Sequence, residues 1–91
     1  MKETALVTGA NKGIGFEIAR ELAKSGMHVI LGARSLERGK KAASDLKEEG
    51  LNVELLEIDV SKSDSIEKAV KQLEKNHDRL DVLVNNAGIL H

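Results

Sequence analysis

The apolar positions of this chain switch repeatedly between a strand period and a helix period. Thr4 to Val7 reads as a first strand, after which Ile14, Ile18, Ala19, Leu22 and Ala23 recur at helical spacing on one face. Gly26 stands just past that face, where a left-handed glycine usually caps a helix, and His28 to Leu31 follows as a second strand. Ser35 is placed to cap a second helix, with Glu37 in its first turn, Leu36, Ala42, Ala43 and Leu46 as its apolar face, and Gly50 at its end. Val53 to Ile58 is the third strand. Ser61, with Asp64 three residues later, predicts a capping box for a helix carrying Ile66, Ala69, Val70 and Leu73, and Leu80 to Val84 is the fourth strand.

Strands alternating with helices at this spacing pair in parallel through right-handed crossovers. The expected fold is therefore α/β, a four-stranded parallel sheet in the order 3-2-1-4, with helices one and two on one face and helix three on the other. No linker, tandem repeat or low-complexity stretch interrupts it, so residues 1–91 are expected to form a single domain. Winding reverses between strands one and four, and the crevice above that reversal is where ligands bind in such sheets.

Charge and composition narrow the function. The 14 basic and 15 acidic residues leave a net charge of −1 and are interspersed, which gives no field to draw in nucleic acid or an anionic membrane. No apolar run is long enough to cross a membrane, and Met1 leads almost directly into a strand, so neither a membrane role nor a secretion signal is expected. The chain has no cysteine, which fits a reducing cytoplasm. Phe16 is the only aromatic residue and proline is absent, so the core has to come from Val, Ile, Leu and Ala. His28, His77 and His91 share no metal-ligand spacing and are expected to be structural or surface residues, and Arg38 to Lys41 reads as a solvated helix face.

The chemistry is concentrated in Thr8-Gly9-Ala10-Asn11-Lys12-Gly13-Ile14-Gly15, between the first strand and the first helix. Glycines at 9, 13 and 15 suit a sharp bend, close approach of a pyrophosphate and close packing of the helix on the strand. Backbone N–H groups near Gly13 and Ile14 would donate to phosphate oxygens at the helix N-terminus. Many dinucleotide folds place an acid after the second strand for the ribose 2′-hydroxyl; here that place holds Arg34, in Gly32-Ala33-Arg34-Ser35 with no carboxylate to repel a 2′-phosphate. NADP is expected in preference to NAD. Each feature also has a plainer reading: a tight turn, a solvated arginine.

Together with Asp59-Val60 after the third strand and Asn85-Asn86-Ala87-Gly88 after the fourth, these motifs resemble the short-chain dehydrogenase/reductase family over the whole chain, in particular its NADP-preferring, carbonyl-reductase-like branch. The resemblance implies a Rossmann-like half-domain. It implies that Gly9, Asn11, Lys12, Gly13, Ile14 and Gly15 hold the pyrophosphate and that Lys12 joins Arg34 at the 2′-phosphate. It also implies that Asp59 and Val60 border the adenine, and that Asn86, Ala87 and Gly88 clamp the fourth strand beside the ribose with help from Thr8. Asp59 read alone might only end a strand, and the asparagine pair might only satisfy local backbone.

The family's catalytic serine and its Tyr-x-x-x-Lys pair fall beyond the Asn-Asn-Ala-Gly segment, and this sequence contains no tyrosine. The expectation is a cofactor-binding half-domain, truncated before the catalytic segment and inactive alone. A self-associating scaffold or engineered fragment that binds no nucleotide, and one half of a reductase assembled in trans, are the alternatives. Val82 to Val84 is apolar throughout, the pattern of a strand buried on both faces, yet it would stand at an edge. Two copies are accordingly expected to pair as a homodimer through Leu80 to Val84.

Overall fold

The computed structural model describes residues 3–86. Strands β1 (Thr4–Thr8), β2 (His28–Ala33), β3 (Val53–Glu57) and β4 (Val82–Val84) alternate with helices α1 (Gly13–Lys24), α2 (Leu36–Glu48) and α3 (Ser63–Asn76). The sheet is parallel throughout and its order is β3-β2-β1-β4, as the pattern predicts.

Side-chain alternation along the strands divides the core in two. Val7, Val29, Leu31 and Val53 point to one face, where Ala19 and Ala23 of α1 and Ala43 and Leu46 of α2 cover them. Leu6, Ile30 and Leu56 point to the other and meet Ala69 of α3. The helices contribute mostly alanine at the contact, which lets them lie close on a sheet of larger side chains. Both α1 and α2 end in the double bond of a Schellman motif. Gly26 N–H donates to Ala23 and Met27 N–H to Leu22, while Gly50 N–H donates to Lys47 and Leu51 N–H to Leu46. Arg20 on α1 grips Glu49 at the end of α2, its Nε 3.1 Å from both carboxylate oxygens, and this bond holds the Glu49 carboxyl below its ordinary range. At the far edge, Thr4 N–H donates to Asp81 Oδ2 (2.8 Å) and Asp81 N–H to the Thr4 carbonyl (2.9 Å), aligning β4 on β1.

Three local expectations are corrected. Ser61 does not cap α3: the N-cap is Lys62, without a side-chain bond, because the Ser61 hydroxyl and N–H both turn back to Asp59 Oδ1. Ile14 does not join the buried face of α1; it is 72% exposed, since the helix starts at Gly13 and its buried line runs through Gly15, Ala19 and Ala23. Leu36, Ile66 and Val70 also stay exposed, at the rims of their helices. β4 lies at the edge of the sheet among the described residues, and its Leu83 is 61% exposed. Among those residues no helix is long and apolar enough to cross a membrane.

Candidate nucleotide-binding site

Every strand of a parallel sheet delivers its C-terminal end to the same side. Here the turns after β1, β2, β3 and β4 enclose a crevice of about 500 Å³. Gly9, Asn11, Lys12, Gly13, Arg34, Asp59, Val60 and Asn86 line it together with Ile58 and Ser61. Residues far apart in sequence thus converge on one cavity. Of the other expected site residues, Gly15 is buried beneath the turn and the Ile14 side chain faces an open apolar groove along α1. Ala87 and Gly88 lie outside the described residues.

The floor of the crevice is a glycine turn at the N-terminus of α1. Gly9 and Gly13 have φ of 62° and 61°, the left-handed conformation that the turn needs, and an added Cβ at Gly13 would meet no atom within 4 Å. Glycine is needed there for its backbone angle. Gly15 is different: a Cβ on it would lie 2.6 Å from Asn86 Nδ2 and 2.9 Å from the Gly9 carbonyl carbon. Close packing demands glycine at that position. Lys12 is the N-cap of α1 and makes no capping bond, and the first turn carries no acid. The N–H groups of Gly13, Ile14 and Gly15 therefore keep their donor capacity at the positive end of the helix, while that of Phe16 closes the first helical bond to the Lys12 carbonyl.

The wall on the β4 side is a hydrogen-bonded clamp. Asn86 Nδ2 donates to the Gly9 carbonyl (3.2 Å), and the Thr8 hydroxyl reaches the Val84 carbonyl (3.4 Å) and Asn85 Oδ1 (3.1 Å). These bonds join the turn after β1 to the turn after β4, across the reversal of winding. On the β3 side Asp59 is fixed by Ser61, whose hydroxyl (2.6 Å) and N–H (3.0 Å) both donate to Oδ1, while Asp59 N–H donates to Ser65 Oγ (2.7 Å). The Ser61 hydroxyl bond, then its N–H bond, hold the Asp59 carboxyl below its ordinary range; Lys62 and Arg34 add to this and partial burial opposes it. Asp59 is accordingly a carboxylate at neutral pH, an acceptor at the mouth of the crevice.

A second depression, of about 310 Å³, shares Asn11, Lys12, Arg34 and Asp59 with the crevice and adds Ser35 and Arg38. Three cations thus surround one opening at the start of α2. Ser35 is the helix N-cap, its Oγ accepting from Arg38 N–H at 3.3 Å. The charge pattern places Arg38 on a solvated face, but its position in the first turn of the helix, four residues after Arg34, is the local signal that sets it beside Arg34. Ser61 has the spacing of a helix cap and instead orients Asp59.

The fold brings together two of the histidines that share no motif. His28 Nε2 lies 2.5 Å and His77 Nε2 3.0 Å from Glu54 Oε1, at the opposite end of the sheet from the crevice.

Comparison with known proteins agrees with this fold. The family model for short chain dehydrogenase matches residues 3–91. The chain is 50% identical over 90 residues to the uncharacterized oxidoreductase YxjF of Bacillus subtilis, covering 99% of this chain and 35% of that protein. It is 48% identical over 89 residues to NADPH carbonyl reductase 1 of Mus musculus, covering 97% of this chain and 32% of that one. The solved structure of menthone neomenthol reductase from Mentha piperita superposes with a TM-score of 0.91 at 42% identity, over 98% of this chain and 32% of that one. The chain spans about a third of the length of these relatives.

Proposed function

The chain belongs to the short-chain dehydrogenase family, and from that premise we propose that it forms the adenosine and pyrophosphate half of an NADP(H) site, with NADP preferred over NAD. The observation that carries the preference is the gathering of Lys12, Arg34 and Arg38 with Ser35 around one small opening beside the crevice. A 2′-phosphate placed there would meet cations and hydroxyl and amide donors, and Asp59, the one acid lining the opening among the described residues, is turned to Ser61 through Oδ1. The N–H groups of the first turn of α1 hold the pyrophosphate. Asp59 accepts from the exocyclic amine of adenine while Val60 packs near its ring. Asn86, Ala87 and Gly88 border the ribose.

Bound in full, the cofactor supplies hydride to a carbonyl carbon from its nicotinamide. These 91 residues contain no tyrosine, so a Tyr-x-x-x-Lys pair is not among them, and we assign them cofactor binding without turnover of their own. The whole protein in this reading is an NADP-dependent carbonyl reductase. Calorimetric titration with NADP⁺, NAD⁺ and 2′-phospho-ADP-ribose tests the site. Tighter binding of both 2′-phosphorylated ligands than of NAD⁺, reduced about tenfold in Arg34→Ala, supports it. Equal affinity for NAD⁺ and NADP⁺ removes the 2′-phosphate assignment, and no binding to the folded chain removes the site.

For the 91 residues on their own we also propose a homodimer through β4. The support is the apolar edge strand Val82–Val84 with Leu83 largely exposed, a template for pairing across a twofold axis. Sedimentation as a stable monomer at high micromolar concentration refutes it.

A further inference from the structure

We infer that His28, Glu54 and His77 form a binding site for a divalent transition metal ion of the zinc type, at the end of the sheet remote from the nucleotide crevice. The site follows from strand register. Ile30 of β2 is aligned with Glu54 of β3, so Glu54 shares the face of Ile30, and His28, two residues before Ile30, shares it too. That face is the one α3 covers. Because α3 runs back antiparallel to the strands, its C-cap residue His77 arrives over their N-terminal ends. Two imidazoles and one carboxylate are thereby set on a single sheltered patch. Their side chains are 19%, 18% and 35% exposed, enough to keep a path for the ion and a water ligand.

The donor set suits the ion. Both Nε2 atoms already face one oxygen, Glu54 Oε1, and all three ligand atoms lie within 4.8 Å of one another. A tetrahedral zinc ion with bonds of about 2.0–2.1 Å separates its ligands by about 3.3 Å. Reaching that from 2.5 and 3.0 Å requires Glu54 Oε1 to withdraw by less than about 1 Å and the two Nε2 atoms, which lie within 4.8 Å of each other, to settle at the same separation, movements that side-chain torsions of Glu54 and the two rings supply. In the absence of metal both rings must present Nε2–H to the carboxylate. Metal binding takes the place of those two hydrogens, and each neutral ring then carries its hydrogen on Nδ1. Two nitrogens and one oxygen favour zinc and its neighbours over magnesium or calcium, which prefer oxygen alone. The ion would join the starts of β2 and β3 to the end of α3.

The chain has no cysteine and only three histidines, which simplifies the test. The 91-residue chain is titrated with zinc chloride by calorimetry, with magnesium chloride as the contrast and circular dichroism as the check on folding. One zinc ion per chain is expected, with affinity weakened about tenfold or more in His28→Gln and in His77→Gln and unchanged in His91→Gln. In the unaltered chain, nitrogen-edited NMR of the imidazoles reports the same site without relying on a variant that folds. Zinc should shift the Nε2 resonances of His28 and His77 together. Failure to bind zinc at high micromolar concentration overturns the inference. So does binding that depends on His91 alone, or His28 and His77 resonances that zinc leaves in place.

Discussion

Gly15→Ala separates the two things a glycine can do in a helix. In an open helix interior the substitution stabilises by about 0.5–1 kcal/mol, because alanine loses less backbone entropy. At Gly15 the new methyl would stand 2.6 Å from Asn86 Nδ2 and 2.9 Å from the Gly9 carbonyl carbon, with the carbonyl oxygen closer still. Carbon contacts ordinarily run at about 3.5–4.0 Å, so the turn after β1 and the Asn86 amide must retreat by close to 1 Å. Overpacking of this kind costs about 1–3 kcal/mol, and the upper part of that range applies because the obstacle is backbone. The retreat also loosens the Asn86 to Gly9 hydrogen bond, about 1 kcal/mol more. After the propensity gain, the net loss is about 3 kcal/mol, a fall of roughly 12–24 °C in the unfolding midpoint for a domain of this size. Gly39→Ala is the control. It is also helical and buried, but its methyl meets Leu55 Cδ1, with Leu55 Cδ2 at 3.3 Å and Ala33 Cβ at 3.2 Å. The ends of a half-buried leucine can rotate away, so gain and cost should cancel to within about 1 kcal/mol. Thermal unfolding followed by circular dichroism measures both, and NADP⁺ titration reports the turn itself. A Gly15→Ala midpoint at or above that of the parent, or equal behaviour of the two variants, refutes the reasoning.

Arg34→Ala and Arg38→Ala should each weaken NADP⁺ about tenfold, the low end for a charge-assisted bond to an exposed phosphate, and leave NAD⁺ nearly unchanged; competitive calorimetry reads the ratio. Ser61→Ala removes the largest cause of the low Asp59 titration, so the carboxyl midpoint seen by carbon NMR should rise toward its ordinary value of about 4. The sign for stability follows: the folded-state midpoint lies below the unfolded one, so this contribution is present above about pH 4 and is lost as pH falls through the folded-state midpoint. An unmoved midpoint in Ser61→Ala would assign the shift first to the backbone N–H of residue 61, which the substitution keeps, and then to Lys62 and Arg34. Leu46→Ala empties a fully buried position between α2 and the sheet and should cost about 2–5 kcal/mol, enough to leave a domain this small largely unfolded in mild urea. A loss below about 1 kcal/mol would mean that the alanine-rich helices close over the gap.

The topology was legible because it depends on order and period, which a sequence displays directly. Gly26 and Gly50 mark helix ends, and the alternation of strand and crossover leaves few arrangements of the sheet. Details within a turn were less legible. Ser61 and Asp64 match a capping box in spacing, but the Asp59 carboxylate accepts from both the hydroxyl and the N–H of Ser61, which turns Ser61 back toward Asp59, and α3 starts after Lys62 without a side-chain cap. The exposure of Ile14, Ile66 and Val70 is hidden for another reason. Helical spacing identifies an apolar face, but it does not say how much of that face the elements present in the chain can cover.

The two clusters of polar side chains show where legibility stops, and why. At the C-terminal ends of the strands, each site residue follows its own strand directly, so locating the strands locates the crevice; even Arg38 is only one helical turn from Arg34. At the other end, His28 and His77 reach Glu54 across 26 and 23 residues of sequence. Their meeting depends on the β2–β3 register and on the length of α3, and a slip of one residue in that register would turn Glu54 to the opposite face. The same parallel topology therefore makes one end of the sheet readable from local motifs and the other readable only from the assembled fold. Any chemistry at the His28, Glu54 and His77 end is thus as sensitive to register as the nucleotide crevice is to its glycines.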